Sequence, residues 1–100
     1  MTVIWTDEAL EKLWEIEQYI GSNSPENAEK FVNYLIEQGE SIAFNPHMGR
    51  RVPEISNPEI RELIVKKYRI VYRVYKSQIE ILTVFEGHKM LRLEGLNTDS

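Results

Sequence analysis

Two arginines on one strand-like run, Arg69 and Arg73, followed near the end of the next run by Glu86 and His88, are the residues of this chain best placed to do chemistry. A guanidinium offers a planar fork of donors that grips phosphate or carboxylate. An imidazole is the side chain that moves a proton near neutral pH. Because side chains alternate along a strand, Arg69, Val71, Arg73 and Tyr75 share one face of residues 68–75, while Tyr68, Ile70, Tyr72 and Val74 share the other. The first set is expected to be exposed and the second to pack.

Around these residues lie Arg50, Arg51, Arg61, Lys66 and Lys67, with Lys89 beyond the last strand. Residues 1–49, 50–76 and 77–100 carry −7, +5 and −2, so an acidic chain of net charge −4 concentrates its positive charge in one segment. That pattern fits one electropositive face for an acidic partner or a phosphate backbone, not a uniformly basic nucleic-acid binder. The plain alternative is a solvated sheet face, on which Arg69 pairs across the sheet with Glu80 or Glu86 for a few tenths of a kcal/mol.

Other chemistries find no support. The chain has no cysteine, which excludes thiolate catalysis and disulfides and fits a reducing cytosol. His47 and His88 are far apart with no carboxylate at a metal-ligand spacing, so no metal is expected. The five glycines form no phosphate cradle, the serines have no nucleophile-elbow context, and no cofactor is expected. No run approaches the roughly 18 apolar residues of a membrane span, and the N-terminus lacks the pattern of a signal peptide, so a cytoplasmic protein is expected.

The elements that must hold these residues are legible. One hundred residues make one domain, 1–100, with one core. Residues 1–5 are β-prone, and Thr6 followed by Asp7 and Glu8 is a helix start. Leu10, Leu13, Ile16 and Ile20, with Ala9 and Trp14 beside them, recur at helical spacing, and Gly21 ends the helix. Ser24-Pro25-Glu26 opens a second helix, expected to reach about Phe44, so residues 6–44 form a helical hairpin. Prolines and glycines make 45–60 an ordered loop. Period-two patterning over 61–86 then gives three strands of an antiparallel meander, leaving 87–100 as a C-terminal tail. Leu91, Leu93 and Leu96 of that tail could dock on the sheet. The fold class is α+β: an N-terminal strand and helical hairpin packed on one face of a mostly antiparallel four-stranded sheet. Leu82 and Val84 beside Val71 are expected to form an apolar floor ringed by arginines.

The element order, the Pro46-His47-Met48-Gly49-Arg50 segment, Arg61-Glu62-Leu63, and the run YRIVYRV at 68–74 followed by IEILTVFEG at 79–87 resemble the RelE/ParE superfamily of bacterial type II toxins. The resemblance spans nearly the whole chain. It implies a small α+β toxin, neutralised by a cognate antitoxin through which the pair binds operator DNA.

The family divides by mechanism. RelE-like members cut mRNA in the ribosomal A site without a metal, which needs a group to activate the ribose 2′-OH, cations for the phosphorane-like charge and an acid for the leaving oxygen. ParE-like members bind DNA gyrase instead. Arg69 matches the strand arginine of the nucleases, with Arg73 beside it and His88 or Glu86 as proton carrier. The chain nevertheless departs from the nuclease pattern: Glu86 places a carboxylate where a cation or imidazole is common, and no tyrosine follows residue 75. The leading expectation is therefore a ParE-like toxin that occupies gyrase. The alternatives are a ribosome-dependent mRNA interferase and a non-toxic binding module. Binding to target or antitoxin would fall to Arg50, Arg51, Arg61, Lys66, Lys67, Arg69, Val71, Arg73, Tyr75 and Lys89. Reversing the charge of Arg69 and Arg73 together is expected to weaken toxicity more than stability.

Overall fold

Thr6 couples the first strand to the first helix. Its hydroxyl accepts from the Ala9 N–H at 3.2 Å, capping the helix, and donates to the Ile81 carbonyl at 2.7 Å on the neighbouring strand. In the computed structural model, which describes residues 1–87, strand β1 (Thr2–Trp5) therefore passes at once into helix α1 (Asp7–Gly21). Ser24 caps α2 (Pro25–Glu40), whose first position is the proline expected there. A single 3₁₀ turn, Ser41–Phe44, replaces the last α-helical turn expected from the sequence.

Strands β3 (Ile60–Val65), β4 (Tyr68–Val74) and β5 (Gln78–Glu86) form the antiparallel meander. β1 adds in parallel to β5. The sheet has five strands rather than four, in the order β1-β5-β4-β3-β2, because Arg50–Arg51 form a two-residue strand β2 against β3. A pairing so short leaves no alternation to read in a proline- and glycine-rich segment.

The helices cover one face. Ala9, Leu13 and Ile16 of α1 and Val32 and Leu35 of α2 bury against Tyr68, Ile70, Tyr72 and Val74 of β4 and Ile79, Ile81 and Val84 of β5. Gly39 is closed over by Trp5, whose ring stands 2.6 Å from where a Cβ would be, so the glycine that weakens α2 admits the indole. Leu10 and Trp14 point outward instead, at 51% and 60% exposure, which places Trp14 outside the core.

The opposite face has a second apolar cluster of Val52, Ile55, Ile60 and Val71, with Leu82 and Phe85 against it. A register shift where Val71 pairs with Thr83 and Tyr72 with Ile81 passes over Leu82, so alternation in β5 slips by one residue. Val84 consequently joins the helix side and Leu82 the other, and the expected floor of Leu82 and Val84 beside Val71 does not form.

Burial raises the Tyr68 and Tyr72 pKa values above the ordinary 10.0; Glu86 adds to the rise at Tyr68, while hydrogen bonding to Gly49 and the charge of Arg61 oppose it at Tyr72. Their phenols stay protonated in the fold where the unfolded chain ionises. Stability should therefore be intact below pH 10 and decline as pH rises through the interval up to the raised values. Denaturant melts from pH 9 upward, about 9 to 11, should show this slope, and Tyr68→Phe should flatten it.

Candidate functional site

The loop between the 3₁₀ turn and β3 is built by Tyr72. From the helix-side face of β4 its hydroxyl donates to the Pro46 carbonyl at 2.8 Å and accepts from the Gly49 N–H at 2.9 Å. A Cβ at Gly49 would stand 2.6 Å from the Glu62 carbonyl oxygen and 2.8 Å from the Tyr72 hydroxyl, so only glycine allows the approach. Arg61 donates to the Gly49 carbonyl at 3.0 Å from the other side. The Pro46-x-x-Gly49-Arg50 segment is thus an anchor. It turns the chain around the β2 edge and sends Val52 and Ile55 onto the far face.

That loop corrects the central sequence expectation. Register does place Arg69 and Arg73 on the face away from the helices, since their β3 neighbours are Ile64 and Ile60. Arg69 and Val71 are not exposed, however: they are 5% and 0% accessible beneath the loop. Glu62, whose side chain is wholly inaccessible, accepts from Arg69 Nε at 2.5 Å through Oε1 and from Arg50 Nε at 2.5 Å through Oε2. Arg69 turns its other two nitrogens to Glu54 of the loop, at 3.2 and 2.9 Å, and its Nη2 also reaches Glu62. The Phe85 ring lies 4.9 Å from its Cζ. Burial works against the charged guanidinium, but hydrogen bonds to Glu54 and Glu62 and the charge of both outweigh it and hold its pKa above the ordinary arginine value.

The expected cross-strand partners of Arg69, Glu80 and Glu86, are therefore not the ones it takes. Glu80 lies across from Arg73, and Glu86 sits 3.8 Å from Lys67. Spacing within one strand gives no sign of Glu54 and Glu62, because strand pairing brings Glu62 to Arg69 and the folding back of the loop brings Glu54. The available signal was that residues 50–76 hold only three carboxylates for eight cations.

The remaining residues are dispersed. Arg73 is half-buried with its Cζ 5.0 Å over the Tyr75 ring. Arg51 is exposed and reaches the Ser56 carbonyl. Lys66 holds the β3–β4 turn with a φ of 57°. His47 contacts Glu59 at 3.0 Å on the surface. His88 and Lys89 lie outside the described residues, as do Leu91, Leu93 and Leu96. Among the described residues no cluster of His, Asp and Glu could hold a metal, and no helix is long and apolar enough to cross a membrane.

Three variants test the anchor. Arg69→Met leaves a fully buried carboxylate facing Arg50 alone and should cost about 3–5 kcal/mol, while the double variant Glu62→Leu/Arg69→Met should recover most of it. Urea midpoints measure both; an Arg69→Met protein as stable as the parent would show that this ion pair does not hold the loop. Gly49→Ala should cost roughly 1–3 kcal/mol by overpacking against a backbone carbonyl, read from the same curves.

Comparison with known proteins agrees with this architecture. Residues 3–91 match the family model of the ParE toxin of the type II toxin-antitoxin system parDE. The chain is 34% identical over 83 residues to Toxin RelE2 of Caulobacter vibrioides, covering 82% of this chain and 90% of that protein. A solved structure described as the chromosomal ParDE TA system from P. aeruginosa superposes with a TM-score of 0.72 at 27% identity, over 86% of this chain and 95% of that one. The family match over most of the chain, joined to two helices on a mostly antiparallel five-stranded sheet, means that this protein belongs to the ParE toxin family of type II toxin-antitoxin systems.

Proposed function

We propose that this toxin stops growth in the bacterial cytoplasm by occupying DNA gyrase, not by cutting RNA, and that a cognate antitoxin neutralises it and carries the pair to operator DNA. One observation carries the mechanistic half of this reading. Arg69, the arginine an mRNA interferase would turn toward phosphate, is buried between Glu62 and Glu54 with its forks already filled by carboxylate. Releasing it would cost a buried ion pair in addition to opening the loop. A net charge of −4 also opposes approach to ribosomal RNA.

The antitoxin reading rests on family membership and on the cations that internal pairs do not absorb. Arg51, Lys66 and Lys76 are exposed, and Arg73 with Tyr75 forms a cationic and aromatic pair at the end of β4. An acidic segment that orders on binding fits such a surface.

Purified toxin added to a gyrase supercoiling assay and to a translating extract separates the mechanisms. Supercoiling should be inhibited and mRNA left whole; cleavage within A-site codons with supercoiling untouched would reject the proposal. The arginines should also separate. Arg73→Gln should weaken growth inhibition while lowering stability by only about 1 kcal/mol, well short of the loss at Arg69. Arg69 substitutions should lower stability and activity together.

A further inference from the structure

Phe44 is the most exposed large apolar side chain among the described residues, at 92%. The 3₁₀ turn that carries it gives Ile42 to the core, wholly buried, and turns Phe44 away. Met48, four residues on, is 42% exposed. A single exposed apolar residue is ordinary, but these two share one short loop, and that loop is held in place. The Asn45 N–H donates to the Ile42 carbonyl at 3.1 Å and the Met48 N–H to the Asn45 carbonyl at 2.9 Å, while the Tyr72 hydroxyl closes on Pro46 and Gly49. Little ordering is left for a partner to impose.

The same loop abuts the end of β4. His47 meets the Glu59 carboxylate at 3.0 Å, and the Glu59 carbonyl accepts from the Val74 N–H at 2.9 Å, one residue before the 38% exposed Tyr75. Phe44, Met48 and Tyr75 therefore stand at one end of the sheet, in company with Arg51, Arg73 and Lys76. Among the described residues these three cations make no ion pair. Glu59 is taken by His47, and Glu80 accepts from Tyr75 and Gln78. Aromatic rings, methionine and arginine with few free carboxylates are the composition that protein interfaces favour.

We propose that Phe44 and Met48 are the apolar anchors by which the toxin holds its target, seated in a pocket of a folded protein whose rim offers carboxylates to Arg51, Arg73 and Lys76. A ring exposed to 92% has no walls from its own chain, so the partner must supply the concavity. A disordered acidic segment needs a groove to lie in, and Phe44 projects from the surface instead. The assignment rests on the reading of this toxin as one that occupies a protein, and adds to it the residues that make the contact.

Purified full-length Phe44→Ser should need about tenfold more toxin than the parent to half-inhibit gyrase supercoiling, while Phe44→Trp stays within about threefold. Ile64→Ser, at an exposed position toward the other end of β3, should match the parent, and all urea midpoints should be unchanged. Equal inhibition by Phe44→Ser and the parent would overturn the proposal. So would a loss matched by a lower urea midpoint, which would make Phe44 structural. If the parent leaves both supercoiling and mRNA untouched, gyrase falls as the target and growth becomes the readout: Phe44→Ser harmless at the parent's expression level upholds the anchor on another protein, and full toxicity overturns it. A Phe44→Ser toxin that still stops growth but escapes its cognate antitoxin would also overturn it, since the surface would then belong to the antitoxin.

Discussion

A single buried carboxylate organises the half of the molecule that the helices do not touch. Glu62 has no access to solvent and lies between Arg50 and Arg69, one at the start of the short edge strand and the other at the heart of the sheet. An unpaired charge in that position would be far more costly than the pair. The interaction therefore obliges the edge strand, the loop and β4 to be in place together. Glu54 extends the same network onto the loop, so the covering segment is tied to the sheet by charge as well as by Val52 and Ile55.

This arrangement explains a charge distribution that otherwise looks like a binding surface. Much of the positive charge between residues 50 and 76 is engaged by the protein's own acceptors, buried at Arg69 and at the surface for Arg50 and Lys67: Arg69 and Arg50 on Glu62, Arg61 on the Gly49 carbonyl, Lys67 beside Glu86. The electropositive face that remains is smaller and lies at the strand ends. Two cores result, one under the acidic helices and one under the loop, with β4 buried on both sides. A strand in that position cannot offer its middle residues to a partner.

In this member of the ParE toxin family the consequence is structural. Arg69 closes the loop onto the sheet. A side chain gripped by two carboxylates and an aromatic ring serves stability, while Arg73 and Tyr75 at the end of the same strand keep an outward edge.

The sequence by itself determined the elements, because local chemistry specifies them: Thr6 and Ser24 cap, Pro25 opens a helix, helical spacing marks Leu13, Ile16, Val32 and Leu35, and period two marks residues 68–74. It also determined the face on which Arg69 and Arg73 emerge, since parity within one strand is a local property. What lay over that face was decided only by the tertiary structure. Whether Arg69 is exposed depends on a loop that Tyr72 anchors through Gly49 and Pro46, on the pairing that brings Glu62 alongside, and on a bulge that re-aims Leu82 and Val84. Burial is set by contacts distant in the chain, and the spacing of residues within a strand carries no record of them.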